Sequence, residues 1–166
     1  MKLPPFPWLL PIFAVAGCAS SSSPATPDAG DGDAATIGCT TDPLAETYTA
    51  DLTKKGQAGL YTFDLVASMP APPQQGSNSW ILKLTDKTGE PVKGADLALK
   101  LWMPRHGHGS QVVPQVTSQA DGSYLINPLY LFMPGLWQIT ITASEPGLGD
   151  GGGATDTATY SFCVEG

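Results

Sequence analysis

The chain reads as an all-β protein, an immunoglobulin-like antiparallel β-sandwich of about seven strands. Three observations predict it. From Cys39 onward, apolar and polar residues alternate with a period of two, in short runs. Gly, Pro, Asn and Asp punctuate those runs. No stretch sustains the ~3.6-residue period of an amphipathic helix, so little or no helix is expected.

The runs follow one another in order. Tyr61, Phe63 and Leu65 alternate with Thr62, Asp64 and Val66. Trp80, Leu82 and Leu84 alternate with Ile81, Lys83 and Thr85, and Leu97, Leu99 and Leu101 with Ala98, Lys100 and Trp102. Pro114 interrupts Val112-Val113-Pro114-Gln115-Val116. Proline cannot donate to a ladder, so this run belongs at an edge or a bulge. Tyr124 and Ile126 follow the turn signal Ala120-Asp121-Gly122. The clearest alternation is Trp137-Gln138-Ile139-Thr140-Ile141-Thr142, and the last run carries Ala158, Tyr160, Phe162 and Val164. Residues 86–91 read as a hairpin-type connection. The glycine-rich stretch from Gly147 to Gly153 reads as a mobile loop, without the Lys-Ser/Thr that would close a phosphate loop.

Ahead of the sandwich lie two segments of another character. Residues 1–17 hold Lys2 and then Phe6-Pro7-Trp8-Leu9-Leu10-Pro11-Ile12-Phe13-Ala14-Val15, too short and proline-broken to span a bilayer but laid out as an export signal. Val15-Ala16-Gly17-Cys18 resembles the lipobox of bacterial lipoproteins, in which the signal is cut before the cysteine and that cysteine is acylated. Ala19 and Ser20 follow where an Asp would favour inner-membrane retention. The expected location is therefore the cell envelope, lipid-anchored, in the outer membrane facing the periplasm or at the cell surface. Residues 18–38 are rich in Ser, Pro, Gly and Asp and read as a tether. Asp28, Asp31 and Asp33 lack the alternating order and distal Glu of a calcium loop. Residues 39–166 form the domain.

Three cysteines leave one unpaired in an oxidising compartment. With Cys18 acylated, Cys39 and Cys163 form the single available intramolecular pair; two free thiols or a metal pair are the alternative. Cys163 is out of phase with Tyr160, Phe162 and Val164, so such a bridge lies outside the last strand rather than between the sheets. The formal net charge of −7 argues against nucleic acid and against electrostatic docking on anionic lipid. Membrane attachment then falls to the acyl chains.

Catalytic constellations are weak. Ser110 lies next to the histidine-bearing segment with no evident orienting group, and Asp64, Asp86, Asp96 and Asp121 fall on exposed faces or in turns, so no enzyme activity is expected. Chemistry concentrates instead in Met103-Pro104-Arg105-His106-Gly107-His108-Gly109, which holds both histidines of the chain. A thioether and two imidazoles suit copper better than magnesium or calcium. In extended chain His106 and His108 point the same way, and Met133, in a second Met-Pro, adds a further thioether. Met103 also shares the parity of Leu97, Leu99 and Leu101, which fits a core residue at a strand end. The loop then serves as scaffold in a structural or protein-interaction module, with an envelope protein as partner.

Five elements in order resemble the YtkA-like/FixH-like family over about residues 72–143. They are Gly76-Ser77-Asn78; Asp86-Lys87-Thr88-Gly89-Glu90-Pro91-Val92-Lys93-Gly94-Ala95; a strand ending in Met103-Pro104 before a Gly/His loop; Gly122-Ser123-Tyr124; and Met133-Pro134-Gly135-Leu136-Trp137. The resemblance implies an exported, membrane-associated β-sandwich. Its FixH-like branch is associated with copper delivery in respiratory oxidase assembly, which makes Met103, His106, His108 and Met133 the candidate ligands. FixH-like members are held by a transmembrane helix where this chain has the lipobox-like Cys18. Others often carry a second methionine where this loop has Arg105-His106.

Overall fold

Two antiparallel sheets realise the alternation. A computed structural model describes residues 38–145 and 153–166. The export-signal segment, Cys18, the tether up to residue 37 and residues 146–152 of the glycine-rich loop lie outside the described residues. The strands are β1 (Leu52–Lys55), β2 (Thr62–Met69), β3 (Gly76–Thr85), β4 (Asp96–Met103), β5 (His108–Gly109), β6 (Gln115–Ser118), β7 (Ser123–Leu131), β8 (Gly135–Ser144) and β9 (Thr155–Val164). One sheet runs β1-β2-β3-β7-β6 and the other β5-β4-β8-β9. The regular helix among the described residues is one short 3-10 turn, Cys39–Thr41.

The in-phase residues meet between the sheets. Phe63, Leu65, Trp80, Leu82, Leu84 and Ile126 from the first sheet pack against Met103, Trp137, Ile139, Ile141, Tyr160 and Phe162 from the second. Trp80 lies edge-on to both Tyr160 and Phe162, with ring centroids 5.7 and 5.8 Å away. A bulge after Leu65 reverses the parity of β2, so Ser68 turns inward and Met69 outward. Pro114 ends immediately before β6, which is an edge strand as its proline requires.

The structure adds two strands to the expected seven. β1 has one apolar residue, Leu52, and is recruited by pairing with β2 rather than by its own pattern. β5 is two residues long, too short to show a period. The connection at residues 86–91 also differs from a simple hairpin. Asp86 accepts from the backbone N–H of Thr88 and of Glu90, and a bridge from Thr85 to Pro91 closes the turn. The chain then leaves β3 and crosses to the other sheet as β4, because the P-V-K-G-A segment is pulled across. Tyr124 anchors it, its hydroxyl donating to Val92 O and accepting from Ala95 N.

The N-terminal part of the domain covers the free edge of β9. A disulfide joins Cys39 to Cys163 with Cα atoms 5.2 Å apart, and Cys163 is half-buried between inward-facing Phe162 and Val164. Glu46 N donates to Ser161 O, Ser161 N donates to the Glu46 carboxylate, and Lys54 pairs with that same carboxylate. Covering an edge in this way removes a template for unwanted strand pairing.

Candidate functional site

The Met/His segment is a hairpin loop between β4 and β5, closed by the pairs Met103–His108 and Trp102–Gly109. His106 N and Gly107 N both donate to Met103 O, and Gly107 takes a φ of 69°. This is the positive-φ turn that four-residue hairpin loops favour, and glycine supplies it without strain. The two histidines therefore do not share one extended segment: His106 sits on the turn and His108 on β5. Their rings are still neighbours, with centroids 5.7 Å apart.

The turn leans on the start of β8. Gly135 has a φ of 134°, and a Cβ built there would lie 2.7 Å from Met103 Cε and 3.5 Å from His106 Nε2. The thioether arm and one imidazole thus end at the same point of the backbone. Met103 is fully buried and His106 exposed, so this point is the border between core and solvent. His108 stacks on Phe132 at 5.5 Å, and Phe132 lies edge-on to Trp137 at 5.4 Å. The Trp137 indole N–H donates to Met133 O, fixing the turn that leads into Gly135. The Met133 side chain packs against the core. The structure thus gathers Met103, His106 and His108, and places Met133 two residues before Gly135.

Electrostatics at the loop are settled by a contact that sequence reading missed. Arg105 Nε donates to Asp42 Oδ2 at 2.7 Å. That bond, with the Leu44 backbone N–H, holds the Asp42 carboxyl below its ordinary value, and it makes Arg105 more basic. The cation next to the histidines is therefore paired. Sixty-three positions separate the two residues, so no local pattern announces the pair. The sequence likewise assigns no site role to Phe132 or Gly135, although both adjoin the Met133-Pro134 motif. Among the described residues, no hydrogen bond uses an imidazole nitrogen of His106 or His108, and no three His, Cys, Asp or Glu side chains group as a metal site.

A second polar centre was also unanticipated. Asp156 is 2% exposed at the start of β9, and its carboxylate accepts from the backbone N–H groups of Ala58, Leu60, Tyr61 and Thr157. Burial pushes its pKa up, but these hydrogen bonds outweigh burial and the net shift is downward. The signal was available: Asp156 is in phase with Ala158, Tyr160 and Phe162, a carboxylate on the core face of a strand. Its acceptor capacity is spent on the backbone, so it organises a loop.

Motif residues elsewhere also do structural work. Asn78, 1% exposed, donates to Gln74 O and Gly76 O and accepts from Gln74 N, pinning the entry to β3. Tyr124 holds the crossover and Trp137 the β7–β8 turn. These residues define a class: a small antiparallel β-sandwich whose ordered motifs knit loops to strands. The chain belongs to the YtkA-like family, whose model matches residues 56–142. The match reaches further toward the N-terminus than the five motifs and takes in all of β2. No curated protein and no solved structure matches the chain.

Proposed function

We infer that this YtkA-like domain is a non-catalytic, lipid-anchored module of the cell envelope that binds copper as cargo through Met103, His106 and His108, with Met133 as an added thioether. One observation carries the reading: two neighbouring imidazoles with uncommitted nitrogens adjoin the end of a buried thioether at Gly135. Imidazole and thioether donors suit copper, and they resist the oxidation that would consume thiolates in an exported protein. The Arg105 charge is held by Asp42, which lowers the electrostatic cost of a cation nearby. The FixH-like resemblance gives such a site its role in metal handling or assembly. Anchoring through acylated Cys18 supplies the membrane association, in the outer membrane or at the cell surface.

A metal-free interaction module is the second reading. An apolar groove runs from His108 past Val112 to Tyr130 and Phe132, and Val113 nearby is 74% exposed. Competitive titration with Cu(I) and Cu(II) separates the two. The wild-type chain should bind at least one oxidation state, and His106→Ala/His108→Ala should weaken it at least tenfold, a loss of about 1.4 kcal/mol or more. Equal affinity in both proteins would leave the groove as the functional surface.

A further inference from the structure

Among the described residues, the second sheet ends in an edge that is largely open. β4 pairs with β8 along its whole length from Asp96 to Trp102, but β5 covers only Trp102 and Met103 on the other side. The carbonyl of Met103 accepts from the β4–β5 turn, and that of Leu101 lies against Gly109. Both therefore face the open edge. Alternation along a strand then places the N–H and C=O groups of Leu97 and Leu99 on that same edge. Among the described residues, no hydrogen bond reaches them from that side.

The side chains on the outer face of this strand form a pattern. Asp96, Ala98 and Lys100 are exposed, while Leu97 and Leu99 are half-buried toward the core. Edge strands usually carry charge to block pairing. Here the two charges are of opposite sign and stand symmetrically about Ala98. In an antiparallel self-pairing centred on Ala98, Asp96 faces Lys100 of the second copy and Lys100 faces Asp96 of the second copy. Leu97 and Leu99 of each copy then form the hydrogen-bonded pairs, exchanging N–H and C=O across the twofold axis. Opposite charges directly across a ladder stabilise the pairing. Shifting the register by two residues either way loses both ion pairs. One alignment is favoured, and it is self-complementary as a twofold interface requires.

We propose that β4 is a homodimerisation edge, where a second copy of this chain adds its own β4 antiparallel about Ala98. The result is one continuous sheet of order β9-β8-β4-β4-β8-β9. The twofold axis passes through the smallest side chain of the strand, so the closely spaced pair at the centre meets no steric obstacle. The partner's β4 occupies the stretch that β5 leaves bare, and Gly94, with a φ of 76°, bends the chain just before the strand begins.

Sedimentation velocity on the full chain as processed and extracted from a host membrane in mild detergent, over a concentration series, tests the proposal. The wild type should dimerise reversibly. Asp96→Lys and Lys100→Glu, each alone, should weaken self-association about tenfold or more, because like charges then face one another twice. An equimolar mixture of the two variants should restore the dimer, since each supplies the charge the other lacks. Both substitutions fall on exposed side chains, and an unchanged thermal midpoint verifies the fold. In Ala98→Cys, residues opposed at about 4.5 Å across the pair should form a disulfide between copies, identified by peptide mapping. A wild type that stays monomeric throughout, single variants that dimerise undiminished, or a mixture that remains monomeric would each overturn it.

Discussion

Gly56 and Gly135 each occupy a point where no side chain fits, and their surroundings differ in kind. A Cβ at Gly56 would lie 2.0 Å from a carboxylate oxygen of Asp156. A Cβ at Gly135 would lie 2.7 Å from Met103 Cε. At the first, the polar group is buried and its oxygens are filled by backbone N–H groups of one loop. At the second, the neighbour is a soft apolar tip, and the adjoining histidines are held by ring contacts. Close packing around a glycine is thus compatible with two outcomes. A polar group that has spent its hydrogen-bonding capacity builds structure, and one that has kept it stays available to a ligand.

The largest effect of breaking this contrast is expected at the Asp156 corner. Asp156→Ala should lower unfolding free energy in urea by roughly 3 kcal/mol, because Tyr61 N and Leu60 N lose a charged acceptor. The wild type should also lose stability in acid. The folded-state pKa is lowered, so the contribution is fully present above the unfolded value near ~3.9 and is lost as pH falls through the lower folded value. Asp156→Asn should flatten that acid dependence, and an unchanged pH profile would show that the carboxylate is not the organising group.

Gly135→Ala should rank second, costing about 2 kcal/mol in the same measurement through the displaced Met103 tip and the positive φ. Copper affinity should fall with it, whereas Asp156→Ala should change stability alone. A Gly135→Ala chain that binds copper as the wild type does would detach Met103 from the site. The smallest effect is expected for Asp42→Asn. It releases Arg105 at the surface, leaves the thermal midpoint within scatter, and weakens copper binding modestly by exposing the guanidinium charge.

Period-two alternation made the sheets legible because burying one face of a strand imposes it. Trp80, Leu82 and Leu84, or Trp137, Ile139 and Ile141, are all fully buried where their phase puts them. β1 and β5 were not legible. Leu52 alone cannot show a period, and His108-Gly109 pairs only because the turn returns it to β4. The candidate site was half legible. Residue chemistry marked the Met/His loop, and parity marked Met103 as inward. The contact of Asp42 with Arg105 and the stacking of Phe132 on His108 are tertiary, joining segments that share no pattern. Asp156 was legible in principle, since a charge in phase with a core stripe demands compensation, yet three of its four donors lie nearly a hundred residues away.

The bridge from Cys39 to Cys163 also sets how the domain carries load. A pull that enters ahead of Cys39 and leaves through the C-terminus crosses directly into the last strand, so residues 40–162 lie off the covalent line of tension. The Met/His loop, the Asp156 corner and the β4 edge are all within that sheltered span.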